Sequence, residues 1–209
     1  MKHLFASMAA LLLTITFQTV HADNPKVSME TSKGAVVIEL YADKAPVSVE
    51  NFLRYVNDNA YDGTVFHRVI KGFMNQGGGF TPDLQKKPAK YPPIKNEADN
   101  GLKNKRGTIA MARTNDPNSA TNQFFINTVD NTFLNHKDRS TRGWGYTVFG
   151  EVTEGMEVMD AVAATRTGPR GPFRSDVPLE TIEIISIKVV ATEAPAATEA
   201  PAATEEPAK

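Results

Sequence analysis

Cysteine is missing from this 209-residue chain. Without thiols there is no disulfide framework, no thiolate nucleophile and no zinc site built on sulfur. An excess of one charge is missing too. Lys and Arg together number 23 against 24 Asp and Glu, a formal net charge of -1. Nucleic acid is therefore not an expected partner on electrostatic grounds, although a local basic patch stays open. Long apolar runs are absent after residue 17, so stable insertion in a membrane is not expected: a spanning helix needs about 20 apolar residues. With 41% hydrophobic and 22% charged residues, the composition is that of a soluble globular protein rather than a coiled coil or a wholly disordered chain.

The two ends read differently from the middle. Lys2 followed by an apolar stretch from Leu4 to Phe17, then Val20-His21-Ala22, has the pattern of a secretory signal peptide over residues 1–22. Residues 191–209 repeat TEAPAA and carry four Glu against one Lys without an aromatic residue. Such a segment cannot bury enough surface to offset its ordering entropy, and it reads as a flexible acidic tail. Residues 23–190 form one domain. Export into a compartment where free thiols have no use fits a bacterial periplasm, with secretion as the second choice.

Strand and turn signals dominate the domain. Val27–Thr31 and Ala35–Tyr41 flank Ser32-Lys33-Gly34 and read as a hairpin. Pro46 opens a helix in which Val49, Phe52, Leu53 and Val56 make one apolar face. Thr64–Ile70 and Phe73–Gln76 read as strands, followed by the glycines 77–79. Thr81–Leu102 reads as a long loop. Further strands fall at Thr108–Ala112, Gln123–Asn127 and Tyr146–Val152. Met156, Met159, Val162 and Ala163 mark a second helix starting near Thr153 or Glu154. In the closing strand, Leu179–Val190, the apolar phase slips by one. A bulge near Ile184-Ile185 would keep both sets on one face. Periodicity alone supports a mostly β domain with two helices. Pairing of an early and a late strand would remove the open edges.

Several chemistries lack parts. Outside the leader only His67 and His136 remain, and neither HExxH nor HxH occurs. His67 lies within a strand, where a core position is expected, and His136 lies in a polar loop, where solvation is expected. There is no GxSxG elbow, no GxxxxGK[ST] and no GxGxxG. No metal and no cofactor are expected. The dense cluster is Phe66-His67-Arg68-Val69-Ile70-Lys71-Gly72-Phe73-Met74-Asn75-Gln76. Alternation puts Arg68 and Ile70 on one face of a strand, and either Phe73 and Asn75 or Met74 and Gln76 face the same way. An Arg beside apolar rings and a neutral amide could hold a peptide carbonyl over an apolar pocket. A surface Arg beside ordinary core Phe and Met fits the segment as well.

FHRVIKGFMNQGG closely resembles the signature of the cyclophilins, the cyclosporin-binding family of peptidyl-prolyl isomerases. GTIAMAR (Gly107–Arg113), TNQFFIN (Thr121–Asn127), NTFLN (Asn131–Asn135) and YTVFGEVTEGMEVMDAV (Tyr146–Val162) resemble further family segments in the same order. The resemblance covers about residues 26–190, and its nearest likeness is to bacterial periplasmic members. It implies a closed eight-stranded antiparallel β-barrel capped by two α-helices. It implies a catalytic Arg68, with Phe73, Met74, Phe125 and Leu134 around a proline ring. Gln76 and the backbone of Ala112 and Arg113 would hold the substrate chain, with Gln123 on the same face. Two positions depart from the commonest pattern: Phe133 stands for a Trp and Tyr146 for a His. Losing an indole N–H removes a donor, so only weak cyclosporin binding is expected. The implied partners are proline-containing, unfolded or partly folded exported polypeptides, and a monomer is the expected state. The competing readings are a proline-peptide binding or chaperone module with incidental turnover, and a secreted hydrolase, for which no nucleophile–base pair exists.

Overall fold

The computed structural model describes residues 24–190. The leader and the acidic tail read from the sequence lie outside the described residues.

The chain opens with the hairpin β1 (Lys26–Thr31) and β2 (Gly34–Leu40). Its alternation is visible in burial: Val27, Met29, Val36, Ile38 and Leu40 are all buried. Helix α1 (Pro46–Asn57) follows, and its apolar face buries Val49, Phe52, Tyr55 and Val56. No side chain of its own caps this helix. Instead Glu97, from the long loop, accepts the Val47 N–H at 3.0 Å, the Ser48 N–H at 2.8 Å and the Ser48 hydroxyl at 2.7 Å. A carboxylate here satisfies orphan donors and meets the positive end of the helix dipole.

Strands β3 (Thr64–Val65), β4 (Arg68–Ile70) and β5 (Met74–Gly77) come next. After the long loop come β6 (Thr108–Met111), β7 (Phe124–Asn127), a 3-10 turn at Thr132–Leu134 and β8 (Val148–Glu154). Helix α2 (Met156–Ala163) begins at a Gly155 cap rather than at Thr153 or Glu154. Gly155 has φ +81°, and a Cβ there would run into the Ala35 carbonyl, so glycine is the residue that fits. The described residues end with a second hairpin, β9 (Thr167–Arg170) and β10 (Phe173–Pro178), and with β11 (Glu183–Val190).

The expected closed eight-stranded barrel is not what forms. One nine-stranded antiparallel sheet runs in the order β3-β11-β1-β2-β8-β6-β7-β5-β4, and β9 and β10 pair separately. The sheet curls, yet its hydrogen-bond ladder stays open between β3 and β4. The two edge strands are halves of the single segment Thr64–Ile70, which the sequence pattern reads as one strand. Phe66 and His67 separate them: Val65 pairs with Glu183 on β11, whereas Arg68 pairs with Gln76 on β5. Two residues of continuous chain, not ladder hydrogen bonds, join the two edge strands.

Ile185 is the extra residue in β11. Thr31 pairs with Ile184 and Glu30 with Ser186, which leaves Ile185 unpaired. Ile182, Ile184 and Ile187 are buried while Ile185 is 47% exposed. The bulge thus keeps the apolar set inward across the slip in phase; Val189 does not join that set and stays exposed. Inside the curl, Phe52 packs against Phe124, Phe149 and Tyr61 with ring centroids 5.2–5.7 Å apart. A second, smaller apolar cluster sits apart from this core. It contains Met74, Ala110, Phe125, Leu134 and Val148.

Candidate active site

The second cluster is the floor of the site, and the strand register shows how it is built. Arg68 pairs with Gln76, Gln76 with Phe125, Phe125 with Ala110 and Ala110 with Val148. Cross-strand partners share a face of the sheet. One row of side chains therefore crosses five strands, from a guanidinium through an amide to apolar groups. The neighbouring row, Val69, Asn75, Ile126 and Ile109, is buried on the opposite face. This settles the face that the Lys71-Gly72 turn conceals: Met74 and Gln76 lie with Arg68 and Ile70, and Asn75 with Val69.

Over the row lies a slot of about 110 Å³. Met74 and Phe125 form its base and are 2% and 4% exposed. Phe73 and Leu134 wall it, and Tyr146 meets Phe125 edge-on at 5.6 Å. Arg68, Gln76, Ala112 and Arg113 complete the rim. A hollow this size is far below the roughly 300 Å³ at which small-molecule pockets begin, and it suits one compact side chain. It is not filled by the main core.

The polar groups are linked. Arg68 Nη1 lies 3.4 Å from Gln76 Oε1, and Gln76 Nε2 donates to Gln123 Oε1 at 3.0 Å. On its outer side, Arg68 Nε lies 3.9 Å from Asp176 Oδ2. Asp176 sits on β10 with φ +66°. No signal in the sequence connects Asp176 to Arg68, because β9 and β10 lack apolar alternation and read as neither strand. The Arg68 side chain stays 41% exposed at the lip of the slot.

Two of the sequence-derived site residues stand outside the slot. Gln123 lines an adjoining groove of about 520 Å³, which shares Gln76, Ala112 and Arg113 with the slot. Phe133 is 62% exposed and stacks on Phe73 with centroids 5.5 Å apart. It forms an outer lip rather than a wall. The remaining nine, Arg68, Phe73, Met74, Gln76, Ala112, Arg113, Phe125, Leu134 and Tyr146, border the slot.

Neither histidine among the described residues lines the slot. His67 is 2% exposed and packs against Phe80 and Phe173 at 4.4 and 5.7 Å. Burial pushes its pKa down to about 4, so it is neutral. His136 is half-buried rather than solvated, with Nδ1 2.8 Å from the Trp144 carbonyl. Trp144 packs edge-on to that imidazole at 5.7 Å and takes no part in the slot. Among the described residues, no three His, Asp or Glu side chains gather as a cation's ligands would. A larger hollow of about 560 Å³ lies between Lys33, Ala164 and Leu179. Its charged pair, Lys33 and Glu180 at 2.7 Å, is already mutually satisfied.

The fold thus sets a linked guanidinium and amide at the rim of an apolar slot. Residues 26–189 match the family model described as cyclophilin type peptidyl-prolyl cis-trans isomerase, and the chain belongs to that family. It is 57% identical over 165 residues to a peptidyl-prolyl cis-trans isomerase of Streptomyces antibioticus, covering 78% of this chain and 98% of that one. It is 55% identical over 163 residues to peptidyl-prolyl cis-trans isomerase B of Escherichia coli, again covering 78% and 98%. A crystal structure of a Cryptosporidium parvum cyclophilin type isomerase superposes with a TM-score of 0.68 at 27% identity, over 81% of this chain and 99% of that one. The chain is a peptidyl-prolyl cis-trans isomerase by these relationships.

Proposed function

We propose that the protein speeds X–Pro isomerisation in exported, unfolded or partly folded polypeptides of a bacterial periplasm, and that it does so without covalent chemistry. The observation that carries the mechanism is the Arg68 guanidinium at the lip of a slot floored by Met74 and Phe125. Export is supported by the leader-like residues 1–22 and by the absence of Cys.

Resonance sets an amide rotation barrier of about 18–20 kcal/mol. Left alone, an X–Pro bond takes roughly tens to hundreds of seconds to turn over. No bond breaks, so the catalyst needs only to bind the twisted amide better than either planar form. At the twist the prolyl nitrogen regains a lone pair and becomes an acceptor. Arg68 donates to it, from a group that is always charged and has donors in a fixed fork. Phe73, Met74, Phe125 and Leu134 hold the pyrrolidine ring while the preceding acyl group rotates. Gln76, Gln123 and the backbone at Ala112 and Arg113 hold the flanking chain, with Tyr146 closing one end. One charge-assisted hydrogen bond made only at the twist is worth about 1.5–3 kcal/mol, hence about one to two decades of rate. Orientation and exclusion of water supply the remainder.

The test is an isomerisation assay on a short X–Pro peptide with wild type and Arg68→Ala. Equal rates would remove the mechanism. A binding or chaperone role with incidental turnover draws on Phe133, whose exposed ring extends the apolar surface past the slot. Suppression of client aggregation that survives Arg68→Ala unchanged would favour that role. The protein is expected to act as a monomer.

A further inference from the structure

Three hollows meet at one residue. Arg113 borders the slot, the groove beside Gln123 and a third hollow of about 390 Å³ that it shares with Asn115, Thr141, Arg142 and Tyr146. We propose that Arg113 and Arg142 make this third hollow a subsite for an acidic side chain next to the substrate proline. The inference rests on the isomerase reading above, and it adds a preference to it.

Arg113 is fixed without being neutralised. Its Nε donates to the Gly145 carbonyl at 2.9 Å and its Nη1 to the Thr114 carbonyl at 2.9 Å, with longer approaches of 3.4 Å to the carbonyls of Asn115 and Thr141. The guanidinium lies over the Tyr146 ring, 4.6 Å from its centre. All these partners are neutral, so the positive charge persists, and at least one Nη2 N–H has no partner among the described residues. Arg142 stands exposed across the hollow, and no ion pair engages it among the described residues.

The nearby carboxylates are turned elsewhere. Asp138 accepts the Ser140 N–H at 2.8 Å within its own loop, Asp116 accepts the Asn118 N–H at 2.9 Å, and Asp99 faces Arg139 at 3.9 Å. A planar guanidinium held in place beside a second, exposed one suits a carboxylate. Consecutive Cα atoms are about 3.8 Å apart. With a proline in the slot, a hollow sharing Tyr146 and Arg113 with it falls within reach of a side chain one or two residues away.

The experiment scans Glu against Gln through the two positions before and the two after proline in an otherwise neutral peptide. The full chain is used, and each catalysed rate is referred to the spontaneous rate of the same peptide. At one position, Glu is expected to raise kcat/KM roughly fivefold over Gln, as two partly exposed charge pairs would. That ratio is expected to fall toward one in Arg142→Gln, to persist in Arg142→Lys, and to shrink at high salt. Because the ratio is taken within each variant, partial loss of folding cancels. Lys86 borders the other groove, so a preference unchanged in Arg142→Gln would overturn the assignment. A ratio of one at all four positions, with the neutral peptide still turned over, would overturn it and leave the isomerase reading standing. Failure to turn over any X–Pro peptide would sink both.

Discussion

Arg68 and Gln76 face each other across the β4–β5 ladder, and Arg68 Nη1 lies 3.4 Å from the Gln76 carbonyl oxygen. The distance is long for a hydrogen bond. The guanidinium is thus oriented by the amide without being committed to it, and the amide is anchored in turn by Gln123 at 3.0 Å. The proposed mechanism needs a donor held this way, free to bind a nitrogen that becomes basic only at the twist.

Replacing Arg68 by Ala is therefore expected to lower kcat/KM by about 10- to 100-fold, the worth of one charge-assisted bond. Thermal unfolding should barely move, because the side chain is 41% exposed. Arg68→Lys keeps the charge and loses the fork, and should fall between the two. Peptide isomerisation rates beside melting curves check this.

Asp176 is expected to be a positioning residue. At 3.9 Å from Arg68 Nε, its carboxylate backs the guanidinium on the side away from Gln76 and is expected to limit its swing. Asp176→Asn keeps a side chain that tolerates positive φ and should cost about two- to fivefold in kcat with little change in KM, as a partly exposed pair would. High salt should bring the wild type toward the variant. A purely structural role would not reproduce that salt dependence.

His67 makes a prediction about acid. Its folded pKa is about 4, below the unfolded value of about 6.5. Between those values the unfolded chain binds a proton that the folded chain does not, so stability rises with pH across this window. The contribution is fully present above about pH 6.5 and is lost as pH falls toward 4, by about 3 kcal/mol in all. In His67→Gln the dependence of melting temperature on pH should flatten between 4 and 6.5.

Much of this architecture is legible in the sequence. The β1–β2 alternation, the Pro46 helix start and the bulge at Ile185 each leave a local trace, because burial on one face dictates residue type every second or every third and fourth position. The open ladder leaves none. Thr64–Ile70 is β-branched or aromatic apart from Arg68, and no local pattern marks the change of partner at Phe66 and His67. The β9–β10 hairpin is hidden for the opposite reason. Only Val177 and Pro178 of its strand residues are buried, and it carries Pro169, Pro172 and Pro178, so periodicity has little to register. The slot's apolar walls were found by resemblance rather than by spacing. Asp176 was missed because its partner lies on a different hairpin. Glu97 was missed because a capping group from a distant loop has no fixed offset from its helix.

Glu97 is expected to matter for stability alone. It accepts three hydrogen bonds at the start of α1, and Glu97→Ala should cost about 1–2 kcal/mol. For a domain this size that lowers the melting temperature by about 3–6 °C. An unchanged kcat/KM at a temperature where both proteins are folded would separate this effect from the site.

Phe133 governs the last expectation. Its ring stacks on Phe73 and stands 62% exposed, so a larger aromatic ring meets no packing barrier there. Phe lacks the donor that an indole supplies, and a missing hydrogen-bond partner leaves a bound ligand's acceptor unpaired, at about 1–3 kcal/mol. Cyclosporin should therefore bind the wild type weakly, and Phe133→Trp should tighten it by about tenfold or more. Turnover of a short X–Pro peptide should change little, because Phe133 lies outside the slot that takes the ring. Titration of both proteins with the drug, read by inhibition, measures the shift. An equal affinity in the two would mean that the acceptor is met elsewhere, and the outer lip would then carry no part of drug recognition.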